Sequence, residues 1–429
     1  MRCCLALIFG VFAIAAIVAA DSTPSPYQPI DAHFSMTVTL LSNGEVLIAG
    51  GGDSHASATN VAEIYNPAND VFTPAGSGFM PGERTYHTAT LLKDGRVLIA
   101  GGMNRMGKAL ATAVLFDPRG GRFIPTGSMA EPRYEAAATL LDDGRVLVSG
   151  GASTSEGYAG AGQERQEEQS TDTAELYDPV TGRFSSAGKS ERVYDITSNR
   201  MLVRASMTAA RRAHTATLIA AGPLAGQVLI AGGIGDQNKP LASAELYDPK
   251  ANAFTPTGSM LVARSYQTAT ALRDGRVLVA GGTDAADKAL ATAEIYKPSA
   301  GKFTLTPQPM RQARYRQSAV LLDNGTVLLA GGASNSGVLA NAEIFDPRTA
   351  LFRSTGLMKD YRMAAGAVLL RNGTVFIAGG YNNRPTYAPG AISMGSAAVS
   401  FRALNTAEIY YPPSGQFVDT RSLGAGSRR

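Results

Sequence analysis

Apolar residues along this chain come in short runs of four or five, too short for helices and separated by turn signals. A typical stretch reads Thr88 to Leu92, then Lys93-Asp94-Gly95, then Val97 to Ala100. Asp-Gly or Asn-Gly between two such runs marks a tight hairpin, because glycine takes the positive φ that the turn requires. Each second run closes on a glycine doublet, at Gly50-Gly51, Gly101-Gly102, Gly150-Gly151, Gly232-Gly233, Gly281-Gly282, Gly331-Gly332 and Gly379-Gly380. A third run of the type Ala62-Glu63-Ile64-Tyr65 follows and is ended by proline. Phenylalanine stands five residues beyond that proline in every copy: Pro67/Phe72, Pro118/Phe123, Pro179/Phe184, Pro249/Phe254, Pro298/Phe303, Pro347/Phe352 and Pro412/Phe417. A unit of four short strands is too small to bury both its faces alone, so seven units must stack radially and close into a ring. The expectation is an all-β chain forming one seven-bladed β-propeller over residues 31–423.

Motifs such as Gly95-Arg96-Val97-Leu98-Ile99-Ala100-Gly101-Gly102 and Ala244-Glu245-Leu246-Tyr247-Asp248-Pro249 resemble the Kelch-repeat family, specifically the branch like the central domain of galactose oxidase. The resemblance is specific for fold and weak for function, since propellers host many unrelated activities. This sequence departs from the wider Kelch pattern in having no tryptophan, with phenylalanine at the fourth-strand position. Each repeat reads as complete from His33 to Phe417, so the ring is expected to close without strand exchange between the termini. The Pro-rich segment 21–30 is the one stretch that would pair with the last blade instead.

Residues 1–20 read as a secretory signal peptide: a positive start at Arg2, an apolar run from Leu5 to Val18, and small residues at Ala19 and Ala20. The run is shorter than a membrane-spanning helix needs. A secreted or periplasmic protein is expected, with no membrane insertion after cleavage and a tail over 424–429. Both cysteines, Cys3 and Cys4, fall in that segment, so the mature chain would have no disulfide, thiolate nucleophile or thiolate metal site. The net charge of +4 comes from interspersed residues rather than blocks. Without a basic run or an aromatic-rich basic stripe, nucleic acid is not an expected partner.

Seven residues before the Leu-Leu-like pair of each first strand stands a basic side chain: His33, Arg84, Arg133, Arg211, Arg264, Arg314 and Arg362. One reading is an anion-attracting funnel at a channel mouth. The competing reading is a set of ion pairs with the third-strand glutamates Glu63, Glu175, Glu245, Glu294, Glu343 and Glu408. Across that space the glycine doublet would leave room for the arginine to pass. Blade 2 has Val114 instead, which leaves Arg84 without its expected partner. Tyr86, Tyr134, Tyr266 and Tyr315, just inside the first strands, are the better ligand platforms.

No cofactor is expected. A copper-radical oxidase needs a tyrosine joined to cysteine, and histidine is scarce: only His33, His55, His87 and His214. No catalytic residue is assigned. Connection lengths point to a binding face: doublet to third strand is eleven or twelve residues in five blades. It is twenty-four from Gly151 to Glu175 and twenty-eight from Gly380 to Glu408, and Phe184 to Arg211 is twenty-seven where ten to twelve is usual. These insertions are expected to form two walls at the channel mouth, with Tyr381, Asn382 and Arg384 on one and Arg192 and Tyr194 on the other. The leading function is a binding module for a glycan, peptide or cell-surface partner, with an anionic ligand suiting the arginines. The alternative is a cofactor-free isomerase, epimerase or lyase acting on an acidic sugar.

Overall fold

The computed structural model describes residues 34–420 apart from 54, 56, 155–167, 189, 190, 196–199, 205, 206 and 383–401. Seven four-stranded antiparallel sheets form in sequence order. Blade 1 runs Thr37–Leu40, Val46–Ala49, Val61–Asn66 and Val71–Phe79. Blade 7 runs Gly366–Leu369, Val375–Ala378, Ala407–Tyr411 and Gln416–Asp419. The first strand of each blade touches the first strand of the next, and Thr37–Leu40 touches both Thr88–Leu91 and Gly366–Leu369. The ring therefore closes by packing, with all four strands of every blade drawn from one continuous repeat. Among the described residues, helix is limited to one 3-10 turn at Asp236–Asn238.

The second strand of each blade is buried at every position, and apolar at all of them but Ser149 of blade 3, because both of its faces are covered. In blade 1, Leu47 and Ala49 pack with Val97, Ile99, Val114 and Phe116 of blade 2. Val46 and Ile48 point the other way, against Leu370, Phe376, Ala378 and Ile409 of blade 7. Alternation along a strand thus feeds two cores, one on each side of the blade. Each buried valine, leucine or isoleucine contributes about 1.5–3 kcal/mol.

The proline-to-phenylalanine spacing has a geometric cause. In every blade the phenylalanine lies directly opposite an aromatic residue of the third strand, as in Tyr65 opposite Phe72 and Tyr410 opposite Phe417. The seven ring pairs have centroids 4.7–5.1 Å apart in tilted geometry. That separation suits aromatic quadrupoles. Tyr65 also stacks on Phe376 at 4.4 Å, closing blade 1 onto blade 7.

The glycine doublets join neighbouring blades. The N–H of the second glycine donates to the main-chain carbonyl of the next blade's ring arginine, as in Gly102 to Arg133 at 2.8 Å and Gly282 to Arg314 at 2.9 Å. A Cβ on the first glycine would meet that same carbonyl, 2.5 Å away for Gly101 and 2.3 Å for Gly281. Both glycines also hold positive φ. The room left by the first glycine is therefore taken by the backbone of the adjoining blade, while a Cβ on the second would meet its own blade's entering segment, Thr85 O at 2.7 Å for Gly102.

The arginine side chains turn into their own blades. Arg133 meets Glu175 at 2.9 Å, Arg211 meets Glu245 at 3.0 Å, and Arg264 meets Glu294 at 2.8 Å. Arg314 meets Glu343 at 2.9 Å and Arg362 meets Glu408 at 2.8 Å. Glu63 in blade 1 is buried too, but its Oε1 has no hydrogen-bond partner among the described residues. His33, which holds the matching basic position, lies outside the described residues.

Two stability predictions follow from these contacts. Replacing one partner of a buried pair strands the other, so Glu294→Ala should cost about 3–5 kcal/mol in denaturant unfolding. Glu63 should do the opposite. Burial lifts its pKa from 4.5 to about 7. The folded state then holds that proton more tightly than the unfolded chain, so stability falls as pH rises from 4.5 and levels off above 7. Glu63→Gln should remove that slope, gaining about 3 kcal/mol over the native chain between those limits.

Candidate functional site

Two residues after each ring position the chain passes through a left-handed turn. The residues are Ser35, Tyr86, Glu135, Ala213, Tyr266, Arg316 and Ala364, with φ between 49° and 54°. None is glycine, and such a backbone costs a side-chain-bearing residue about 1–2 kcal/mol. A closed chain of hydrogen bonds holds them there. Each amide donates to the carbonyl of its counterpart in the preceding blade: Tyr86 to Ser35 at 3.4 Å, Glu135 to Tyr86 at 3.1 Å, and Ala213 to Glu135 at 2.9 Å. Tyr266 to Ala213 at 3.2 Å, Arg316 to Tyr266 at 3.1 Å, Ala364 to Arg316 at 2.9 Å and Ser35 to Ala364 at 3.2 Å complete the circle. All seven blades contribute one residue to this collar around the channel.

Four collar side chains carry chemistry, and they converge. Arg316 of blade 6 reaches across the channel to Glu135 of blade 3, Nη2 to Oε1 at 3.0 Å. The other carboxylate oxygen takes Arg212 Nη1 of blade 4 at 2.9 Å. Arg212 also donates to Asn238 Oδ1 at 3.1 Å and to the Tyr266 hydroxyl at 3.4 Å. The Arg316 guanidinium lies over the Tyr266 ring at 4.0 Å, with Tyr86 at 5.6 Å. Two guanidiniums share one carboxylate, which leaves a net positive charge held among phenol rings.

The electrostatics agree with that assembly. Burial works against the Arg316 cation, but Glu135 and then the Tyr266 and Tyr86 rings more than offset it and hold its pKa above the ordinary arginine value. The Tyr266 phenol is pushed up by burial and by Glu135, with Arg316 and Arg212 acting against. Burial also raises Tyr381, again opposed by Arg316.

A second tier of aromatic residues surrounds the collar. Tyr134 and Tyr315 stand one residue before it and bridge to Ala152 and Ala333, while Tyr381 bridges to Met363. Tyr86 lies 6.5 Å from Tyr134, and Phe34 meets Tyr381 edge-on at 5.1 Å. Tyr86, Tyr134, Tyr266, Tyr315 and Tyr381 are therefore gathered around the mouth.

The arginine ring is placed differently from the funnel reading. Arg84, Arg133, Arg211, Arg264, Arg314 and Arg362 are at most 2% exposed and are drawn into the blades rather than presented to the lumen. His33 and Arg384 lie outside the described residues. Arg192 and Tyr194 belong to a hairpin in which Glu191–Asp195 pairs with Arg200–Arg204, but the description does not extend to their side chains. Asn382 lies at the root of the blade 7 insertion, paired with Arg402. The wall positions of the insertions between doublet and third strand in blades 3 and 7 fall largely in 155–167 and 383–401, outside the described residues.

The residues that sequence reasoning missed are Glu135, Arg212 and Arg316. A signal for two of them was present: the collar position holds five residue types in seven blades, two residues after a ring position that is basic in every one. Variation inside a fixed frame marks where one blade is asked to differ from another.

Histidine serves structure. His87 Nε2 lies 3.0 Å from Thr37 Oγ1 and His214 Nε2 lies 3.0 Å from Ser149 Oγ, each across a blade junction. Burial first, and then a neighbouring ring arginine, push both imidazoles down to about 3.

No family model matches the chain, and no curated protein does. Among solved structures it is similar to a fungal alcohol oxidase of the AA5 family in complex with copper. The TM-score is 0.55 at 18% identity, over 79% of this chain and 65% of that one, so this chain spans less than two thirds of its neighbour's length. At that identity the likeness is one of fold. Cys3 and Cys4 lie outside the described residues. Among the described residues no three His, Cys, Asp or Glu side chains gather as ligands. What the comparison supports is the fold, which this chain shares in part with that oxidase.

Proposed function

We propose that this chain is a Kelch-type binding propeller acting outside the cytoplasm, and that its ligand is an acidic glycan held at the collar. The observation that carries this reading is the Glu135, Arg212 and Arg316 cluster set among Tyr86, Tyr266 and Tyr381. Tyrosine rings offer apolar faces to sugar C–H groups and a hydroxyl at the edge. Two guanidiniums over one carboxylate leave donors and a positive charge for a ligand anion. The collar backbone is held by a closed circle of hydrogen bonds, so little ordering is needed on binding.

The test is a glycan array with the purified protein, followed by calorimetry on any hit. Arg316→Ala should weaken binding at least tenfold, about 1.4 kcal/mol or more, and Tyr266→Ala should act similarly. Affinity should fall between 0.05 and 0.5 M salt, by contrast with a neutral sugar ligand. Binding that is blind to both substitutions would rule the collar out.

A second reading has one specific observation behind it. Glu135 and the Tyr266 hydroxyl both contact Arg212, so a proton acceptor and a proton donor sit beside the same cation. An acidic sugar altered by the protein, with turnover lost in Glu135→Gln while binding persists, would convert the binding module into the isomerase, epimerase or lyase.

A further inference from the structure

The seven blades act as controls for one another. In five of them the third-strand glutamate is held in a cradle made of the ring arginine and main-chain amides from the segment entering the blade, two amides in four blades and Thr208 alone in blade 4. Glu175 receives Arg133 Nη2 at 2.9 Å, the Ala130 amide at 2.8 Å and the Glu131 amide at 3.2 Å. Glu294 receives Arg264 Nη2 at 2.8 Å and the Leu261 and Val262 amides at 2.7 and 3.1 Å. Glu343 and Glu408 repeat the arrangement.

Blade 2 keeps the cradle and lacks its occupant. Val114 stands opposite Pro125 where Glu175 stands opposite Ser186. Arg84 nevertheless holds the common pose, with Nη1 donating to Gly101 O at 2.9 Å and Thr112 O at 3.1 Å. Arg133 does the same with Gly150 and Thr173 at 2.8 and 3.1 Å. Arg84 is 2% exposed and makes no ion pair among the described residues. The Gly82 amide matches those of Glu131 and Val262 in register and has no acceptor among the described residues. Pro81, at the other donor position, has no N–H.

The vacated volume is open. A cleft of about 440 Å³ is lined by Arg84, Gly82, Thr112, Val114, Asn60 and Asn104, among others. Glu83 also borders it, but its carboxylate is engaged by Arg105 at 3.1 Å. A buried cation without a counter-charge is costly, so an anion entering this cleft gains the interaction that blade 2 lacks. Burial lowers the Arg84 pKa only to about 10, so it remains a cation at neutral pH.

We propose that the blade 2 cleft is a binding site for a ligand's carboxylate group, which enters where a glutamate side chain sits in five other blades and is held by Arg84 Nη2 and the Gly82 amide. The site is separate from the collar, because the Arg84 guanidinium is engaged inside its own blade. It does not depend on the reading given above for the mouth.

Propionate reproduces the last three carbons of a glutamate side chain, and propionamide has the same shape without the charge. On the full chain, propionate should raise the unfolding midpoint saturably, with half-effect in the millimolar range. Propionamide and sodium chloride at matched ionic strength should not. Val114→Glu should fill the cradle from within, raise the midpoint in buffer alone and reduce the propionate response at least tenfold. Glucuronate and N-acetylglutamate then separate a sugar acid from an acidic peptide by which one reaches half-effect at the lower concentration; if neither improves on propionate, the ligand is a small free acid. Equal responses to propionate and propionamide in the native chain would overturn the proposal. So would a propionate response that survives unchanged in Val114→Glu.

Discussion

The contact on which this ring depends is made by the backbone and side chain of one residue acting in two blades. The carbonyl of each ring arginine accepts the amide of the preceding blade's second doublet glycine. Its guanidinium meanwhile binds the carbonyl of its own blade's first doublet glycine, as Arg264 does with Gly281 at 2.8 Å. Every such arginine therefore fixes where its blade begins relative to its neighbour. The doublet must be glycine for this approach, and the arginine must be long and cationic to span its own blade. A fully buried guanidinium needs compensation, which explains the glutamates: they are the counter-charges of a joint.

Because the joint sets the start of each first strand, it also sets the collar two residues later. Seven side-chain-bearing residues accept left-handed backbone there, since the closed circle of hydrogen bonds leaves none of them an independent choice. The arrangement frees the side chains from any structural duty. Replacing Tyr86 by alanine changes the mouth without changing the joint, and the alanines already at 213 and 364 demonstrate that the scaffold tolerates the smallest side chain there. Function can vary in one layer while the layer beneath stays fixed.

This division decides what was legible in the sequence. The doublets, the Pro-x-x-x-x-Phe spacing and the Arg/Glu register are local or nearly so, and each recurs in enough blades to be read by repetition. Arg264 with Glu294 spans only thirty residues within one blade. The contact of Arg316 with Glu135 joins residues 181 apart in non-adjacent blades, and it exists only because the ring has a particular width. No spacing rule encodes that width. The ring arginines were read as candidate ligand contacts because their common end of the blade was evident while their direction was not. Burial, a property of the assembled ring, turned them inward.

The same logic bears on blades 1 and 2, the two places where the joint's charge balance is altered. Glu63 is a buried carboxylate with no arginine in the described part of its blade, and Arg84 is a buried guanidinium with no carboxylate. Each defect alone weakens the fold, and they do not cancel, because Arg84 is spent on Gly101 and Thr112 in its own blade. A repeat protein that repairs five of its blades the same way has the remedy close at hand, a glutamate at one position. Leaving that position as valine, beside a proline that removes the second amide donor, opens a cleft rather than a void. An unrepaired buried charge that faces an opening differs from one sealed in a core. The first is stabilised by whatever anion arrives, so its cost to the free protein becomes affinity for the ligand.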